Sequence, residues 1–160
     1  MGAVNDIGNK LSAVMSVESA TYTTDPATIT GIDMQGSNAV VFYCAIGESG
    51  DTLSGSVKID LVLQESDDDS TYTDVTDTDN AIGIREIYAT PVAGAGLPDA
   101  TDGIFQTIDA AAEDSTLYAI GYRGTSRYCR VLPDFTGTHS NGCPLAVVAV
   151  RGMLDRAPNV

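Results

Sequence analysis

The single histidine of the chain, His139, stands in the run Thr138-His-Ser-Asn-Gly142, and Cys143 follows four residues after it. A cysteine beside a histidine is what thiolate catalysis uses, with the imidazole taking the thiol proton. His139 could also be combined on paper with a serine and one of many aspartates into a triad. Neither arrangement carries a local signature. No Gly-x-Ser-x-Gly elbow exposes a serine, and a loop histidine near a cysteine is usually a passive neighbour. The sequence therefore predicts no catalytic residue and no enzyme.

A second chemistry to test is metal binding by the acidic run Glu65-Ser-Asp67-Asp68-Asp69-Ser70. Asp67, Asp69 and Thr71 have the alternate spacing of early calcium-loop ligands. Tyr72 stands where such a loop needs glycine, and no glutamate closes it. A solvated hairpin tip is the favoured reading, with no metal and no cofactor. Cys44, Cys129 and Cys143 form no metal-ligand spacing. Cys44 lies in an apolar run and reads as a small core residue. A Cys129–Cys143 bridge stays open as the alternative to free thiols. No glycine-rich loop follows a strand to hold phosphates. The chain has 7 Tyr and no Trp, and those tyrosines fall mostly within strand patterns, so they read as packing groups.

Composition narrows the partners. The chain has 160 residues, with 22 acids against 8 Lys plus Arg, a formal charge of −14. Such a charge is repelled by nucleic acid and by anionic membranes. The apolar runs are far shorter than the ~20 residues of a spanning helix, and the opening MGAVNDIGNK lacks the pattern of a signal peptide. The charge is uneven. Residues 1–114 carry three cations against twenty acids, a net of −17, and residues 115–160 carry five against two, a net of +3. That division predicts an acidic body facing solvent and an arginine-bearing part facing a partner.

The elements that would position these groups are strands. Ser56 to Ser66 alternates Val57, Ile59, Leu61 and Leu63 against Lys58, Asp60 and Gln64, the period-two pattern of a half-buried strand. Ala39 to Gly47 is continuously apolar and suits a central strand. Further strands are expected at Thr28 to Met34, Ile82 to Tyr88, Ile104 to Ile108, Thr116 to Arg123, Arg127 to Leu132 and Leu145 to Gly152, and an extended stretch at Val14 to Thr24. Eight or nine short strands without helical stripes predict an all-β antiparallel β-sandwich, jelly-roll-like or immunoglobulin-like. We expect an N-terminal arm over residues 1–19 and one sandwich domain over residues 20–160. Val4, Ile7, Lys10 and Leu11 give the arm spaced apolar contacts and one cation; a plain leader is the alternative.

Two segments have a distinctive character. Ile59 to Val75 reads as strand, acidic Ser/Asp turn, aromatic and short return strand. Tyr118 to Pro158 opens with YAIGYRGTSRYCRVL and closes with LAVVAVRGMLDRAP. In the latter, Gly124-Thr125-Ser126 is expected to turn a hairpin that gathers Arg123, Arg127 and Arg130 beside Tyr122 and Tyr128. Arginine and tyrosine are enriched at interface hot spots; arginines paired with local acids such as Asp134 are the plainer reading. The run Leu145 to Val150, apolar on both sides, must be central or covered by a neighbouring subunit.

Together these segments make the chain resemble head-decoration or cement proteins of tailed bacteriophages and gene transfer agents. The resemblance implies a non-enzymatic virion protein, made in the bacterial host cytoplasm, that binds the major capsid protein on the outer head surface and bridges capsomers. It also implies a homo-oligomer, commonly a trimer. An adhesion or carbohydrate-binding sandwich on the head or tail is the alternative.

Overall fold

The computed structural model describes residues 11–83 and 99–154. Ten strands follow in chain order: β1 (Leu11–Tyr22), β2 (Ile32–Asp33), β3 (Ser37–Ile46), β4 (Lys58–Ser66), β5 (Thr73–Asp74), β6 (Ala81–Gly83), β7 (Ile104–Ile108), β8 (Leu117–Tyr122), β9 (Tyr128–Thr136) and β10 (Cys143–Leu154). A single 3-10 turn at Thr78–Asn80 is the one helical element among the described residues. The strands form two antiparallel sheets. The first has the order β1-β10-β3-β8-β6; the second has the order β2-β9-β4-β5, with β7 also pairing β4. The expected all-β sandwich is what the chain builds.

Alternation explains the packing. Val40, Phe42, Cys44 and Ile46 of β3 are buried, as are Tyr118, Ile120 and Tyr122 of β8 and Leu145, Val147 and Ala149 of β10. Ile59, Leu61 and Leu63 of β4 and Cys129 and Val131 of β9 face them from the second sheet, in one continuous core. Large side chains removed from water in this way contribute about 1.5–3 kcal/mol each. The run Leu145 to Val150 is indeed central in its sheet, between β1 and β3.

Several expectations need correction. Residues 11–19, expected in the arm, belong to β1, which pairs with β10 from Leu11 opposite Gly152 to Tyr22 opposite Cys143. The domain thus begins no later than Leu11, because β10 needs a neighbour on that side; residues 1–10 lie outside the described residues. The stretch Thr28 to Met34 contributes only the two-residue β2. Of Ile82 to Tyr88, Ile82 and Gly83 fall in β6, and residues 84–88 lie outside the described residues. Strand β9 runs past Leu132 through Pro133 to Thr136. Strand β2 pairs β9 only at Tyr128 and Cys129, so the far edge of β9 at Pro133 needs no amide donor, and proline fits there. Two residues on, the Phe135 amide donates to Asp25 Oδ1 at 2.7 Å.

The largest correction concerns β8 and β9. They are not a hairpin: β8 pairs β3 and β6 in the first sheet, and β9 pairs β2 and β4 in the second. Residues 123–127 therefore cross from one sheet to the other.

Candidate functional site

The crossing segment sets where the arginines go. Tyr122 lies opposite Val40, which lies opposite Arg151 on β10, which lies opposite Ser12 on β1. In the second sheet Tyr128 lies opposite Asp33 and Ser66. All these positions share one end of the sandwich. Arg123, Arg127, Arg130 and Arg151 gather there, while Lys58, opposite Thr136, is at the other end. The arginines reach a common end, but each has its own partner.

Arg123 donates from Nε to the Asp79 carbonyl at 2.8 Å. Arg127 forks onto Asp33, with Nη2–Oδ2 at 3.1 Å and Nε–Oδ1 at 3.4 Å. Its guanidinium also lies 5.0 Å over the Tyr128 ring. The Arg127 hydrogen bond, with the Gln35 amide second, holds the Asp33 carboxyl below the usual range. The acid is Asp33, not the expected Asp134. Arg130 stacks 3.8 Å over the Tyr72 ring and donates to Gln64 Oε1 at 2.9 Å; Gln64 in turn donates to Asp74 at 2.8 Å. Arg151 was not singled out from the sequence, yet it ties the sheets together. Its Nη1 donates to the Asp33 carbonyl at 2.7 Å and its Nη2 to Ser12 Oγ at 3.3 Å.

The remaining predicted interface residues divide. Tyr122 is fully buried, and its hydroxyl donates to Glu65 Oε2 at 2.5 Å. Burial, then Glu65, pushes that hydroxyl pKa up. Tyr122 is thus a core residue that links the two sheets, because its inward register follows Tyr118 and Ile120. Tyr128 is half-buried. Leu11 is exposed at the start of β1. Val4, Ile7 and Lys10 lie outside the described residues.

The second feature is the outer face of the first sheet, which the sequence reading reached only through the run Leu145 to Val150. Register places Met15, Val148 and Tyr43 in one row, Ala13, Val150 and Val41 in the next, and Leu11, Gly152 and Ala39 beyond. Ala146, Ala45 and Leu117 make a further row. No charged residue occupies these positions. Among the described residues the exposed large hydrophobic side chains are Leu11 at 45%, Met15 at 50%, Ile82 at 36% and Leu117 at 42%, and by register all four fall on this one face. Near β8 the face closes, since Ala119 and Gly121 are buried. The outer side of the second sheet is different in kind. Asp60 lies opposite Asp134 there, and Asp60 is held by Lys58 at 2.6 Å and by the Thr107 hydroxyl at 2.5 Å. Desolvation, then Asp25 and Asp60, raise the Asp134 carboxyl pKa.

The groups first considered for chemistry serve the fold. His139 is buried; its Nε2 lies 3.1 Å from the Thr136 carbonyl and its ring meets Phe135 edge-on at 4.9 Å. Cys143 directs its thiol to the Gly47 carbonyl at 3.5 Å, and burial pushes that thiol up to about 11. All three cysteines are free and buried. Asp51 accepts from the amides of Ser140 at 3.1 Å, Asn141 at 3.0 Å and Gly142 at 2.8 Å. Desolvation opposes the Asp51 charge, but these amides outweigh it and hold the carboxyl below its usual range. Gly142 has φ +78, and a Cβ there would meet the Tyr22 carbonyl, so glycine is required. In the acidic turn, Asp68 accepts from the amides of Thr71 at 2.8 Å and Ser70 at 2.9 Å, which holds its carboxyl well below the usual range. Among the described residues no group of three or more His, Cys, Asp or Glu side chains is placed to hold a metal ion. No helix among them is long and apolar enough to cross a membrane. Compared with known proteins, the chain matches no family model and has no significant match among curated proteins.

Proposed function

We propose that this chain is a non-enzymatic virion structural protein that binds the major capsid protein on the outer head surface and bridges capsomers. The observation that carries this reading is the gathering of Arg123, Arg127, Arg130 and Arg151 at one end of a body whose net charge is −14. That end also carries Asp33, Glu65, Asp79 and the Asp67–Asp69 turn, so the arginines serve the contact as directional hydrogen-bonding and stacking anchors and not as a net positive patch. Each added copy contributes buried area at several capsomers, and valency multiplies the gain. The outer side of the second sheet, with Lys58, Asp60, Arg130 and Asp134, then faces solvent.

The strand order supports a jelly-roll reading. The four-stranded sets β1-β10-β3-β8 and β2-β9-β4-β7 have the arrangement that two nested Greek keys generate. Glycan binding comes second, because it favours a bare aromatic platform. Tyr72 has Arg130 over its face and Tyr128 has Arg127.

The test is direct binding to expanded empty heads of the parent virus, imaged by cryo-electron microscopy. Saturable density at regular lattice positions is expected, lost in an Arg123→Glu/Arg127→Glu variant that keeps a native circular-dichroism spectrum. Density confined to the tail, or none, overturns the reading.

A further inference from the structure

We infer that the outer face of the first sheet is a copy–copy interface: two chains pack this face against itself about a two-fold axis. Every large exposed hydrophobic side chain given above, Leu11, Met15, Ile82 and Leu117, lies on it, and the register rows between them hold only Val, Ala, Tyr and Gly. Glu18, in the bulged stretch between Val17 and Ala20, is exposed and lies level with Ala146 at the β1 edge of this face.

Charge selects the occupant. Two chains of −14 repel each other, and they approach at least cost through surface that carries no charge. Face-to-face packing stacks four sheets, so the two charge-bearing outer sheets end about 30 Å apart at roughly 10 Å per layer. That is several times the ~8 Å screening length at physiological salt. A strongly charged partner gains little from a face whose charged groups, Glu18 and Arg123, stand only at its edges. A second copy offers the same uncharged chemistry at matched dimensions, and a two-fold contact needs only one self-complementary patch.

The area is that of a weak contact. Four strands at about 4.8 Å spacing and four rows, about seven residues at 3.4 Å rise, give a face of roughly 450 Å². A pair buries about 900 Å² in all, in the range of weak, transient interfaces. The pair is therefore reversible, and its formation does not depend on what binds at the arginine end.

Sedimentation equilibrium of the full chain from about 5 to 500 μM tests this. A concentration-dependent dimer of twice 16.6 kDa is expected. Met15→Glu and Leu117→Glu both replace exposed side chains, so neither threatens the core. Each is expected to weaken pairing about a hundredfold or more, because a carboxylate would be buried without a partner. Thr138→Glu, in an exposed loop, controls for added charge and is expected to leave pairing unchanged. A monomer at every concentration, a dimer indifferent to both substitutions, or a trimer overturns the inference. So does a monomer whose head binding is abolished by Met15→Glu, which would assign the face to the capsid shell. Loss of head binding in the arginine variant with pairing intact leaves this interface standing.

Discussion

Asp51 joins two loops with one carboxylate: the backbone amides of residues 140–142 converge on it from a segment some ninety residues away along the chain. Asp51→Ala is expected to lower Tm by several degrees and to speed amide exchange at Ser140 to Gly142 before any other region. Nothing in the sequence around Asp51 announces this, since a hydrogen-bonding carboxylate and a solvated one look alike until the opposing loop is placed. Tyr122 was misread for a related reason. Its neighbours Arg123 and Arg127 suggested surface, while its register with Tyr118 and Ile120 put it inside. Tyr122→Phe leaves Glu65 without its donor and is expected to cost about 1–2 kcal/mol in urea unfolding. Acid should reveal the carboxylates. Asp33, Asp51 and Asp68 sit below their ordinary pKa, so each contributes stability that is complete above the unfolded value of about 3.9 and is lost as pH falls through the lower native value. Asp134 is raised and works the other way. Asp99, held by the Thr101 hydroxyl and amide, is lowered as well, so with four carboxyls against one the urea midpoint should drop as pH is taken below about 4; a midpoint that rises there contradicts the assignment.

Among the elements, alternation made β4 legible, because one buried face imposes a period of two on the chain, whereas β10 was legible as a continuous apolar run. Which sheet each strand joins was not legible. The Gly124-Thr125-Ser126 turn looks the same whether β9 folds back onto β8 or crosses to β4, and only the distant partners decide. Strand β1 was underread because its outward residues are apolar too, so polar alternation is missing. As β1 covers one edge of β10 along most of its length, removing residues 1–19 should abolish cooperative unfolding. A truncated chain that still melts in one sharp transition would contradict that role. Arg151 spans both sheets from β10. Arg151→Ala should cost about 1–3 kcal/mol by stranding the Asp33 carbonyl, read as a shifted urea midpoint.

For the whole molecule, the charge division along the chain does not carry over into space. The acidic first part and the cationic last part interleave, as the Arg127–Asp33 pair shows. Arginines gather at one end together with Asp33 and the Asp67–Asp69 turn, the rows of the first sheet's outer face are uncharged, and the outer side of the second sheet carries Lys58, Asp60, Arg130 and Asp134. Self-repulsion within a body of −14 weakens the compact state. Raising salt from about 0.02 to 0.2 M should therefore raise Tm; a falling Tm would mean that the exposed ion pairs outweigh the net repulsion.

The position of β10 bears on how the chain is made. The last described strand to leave the ribosome is the one that fills the gap between β1 and β3. Until it emerges, the earliest strand has no partner in its sheet, and the first sheet cannot close however long translation takes. Folding by vectorial synthesis is thus deferred to the end. A polypeptide that stops before residue 143 lacks the strand between β1 and β3 and cannot complete the sandwich.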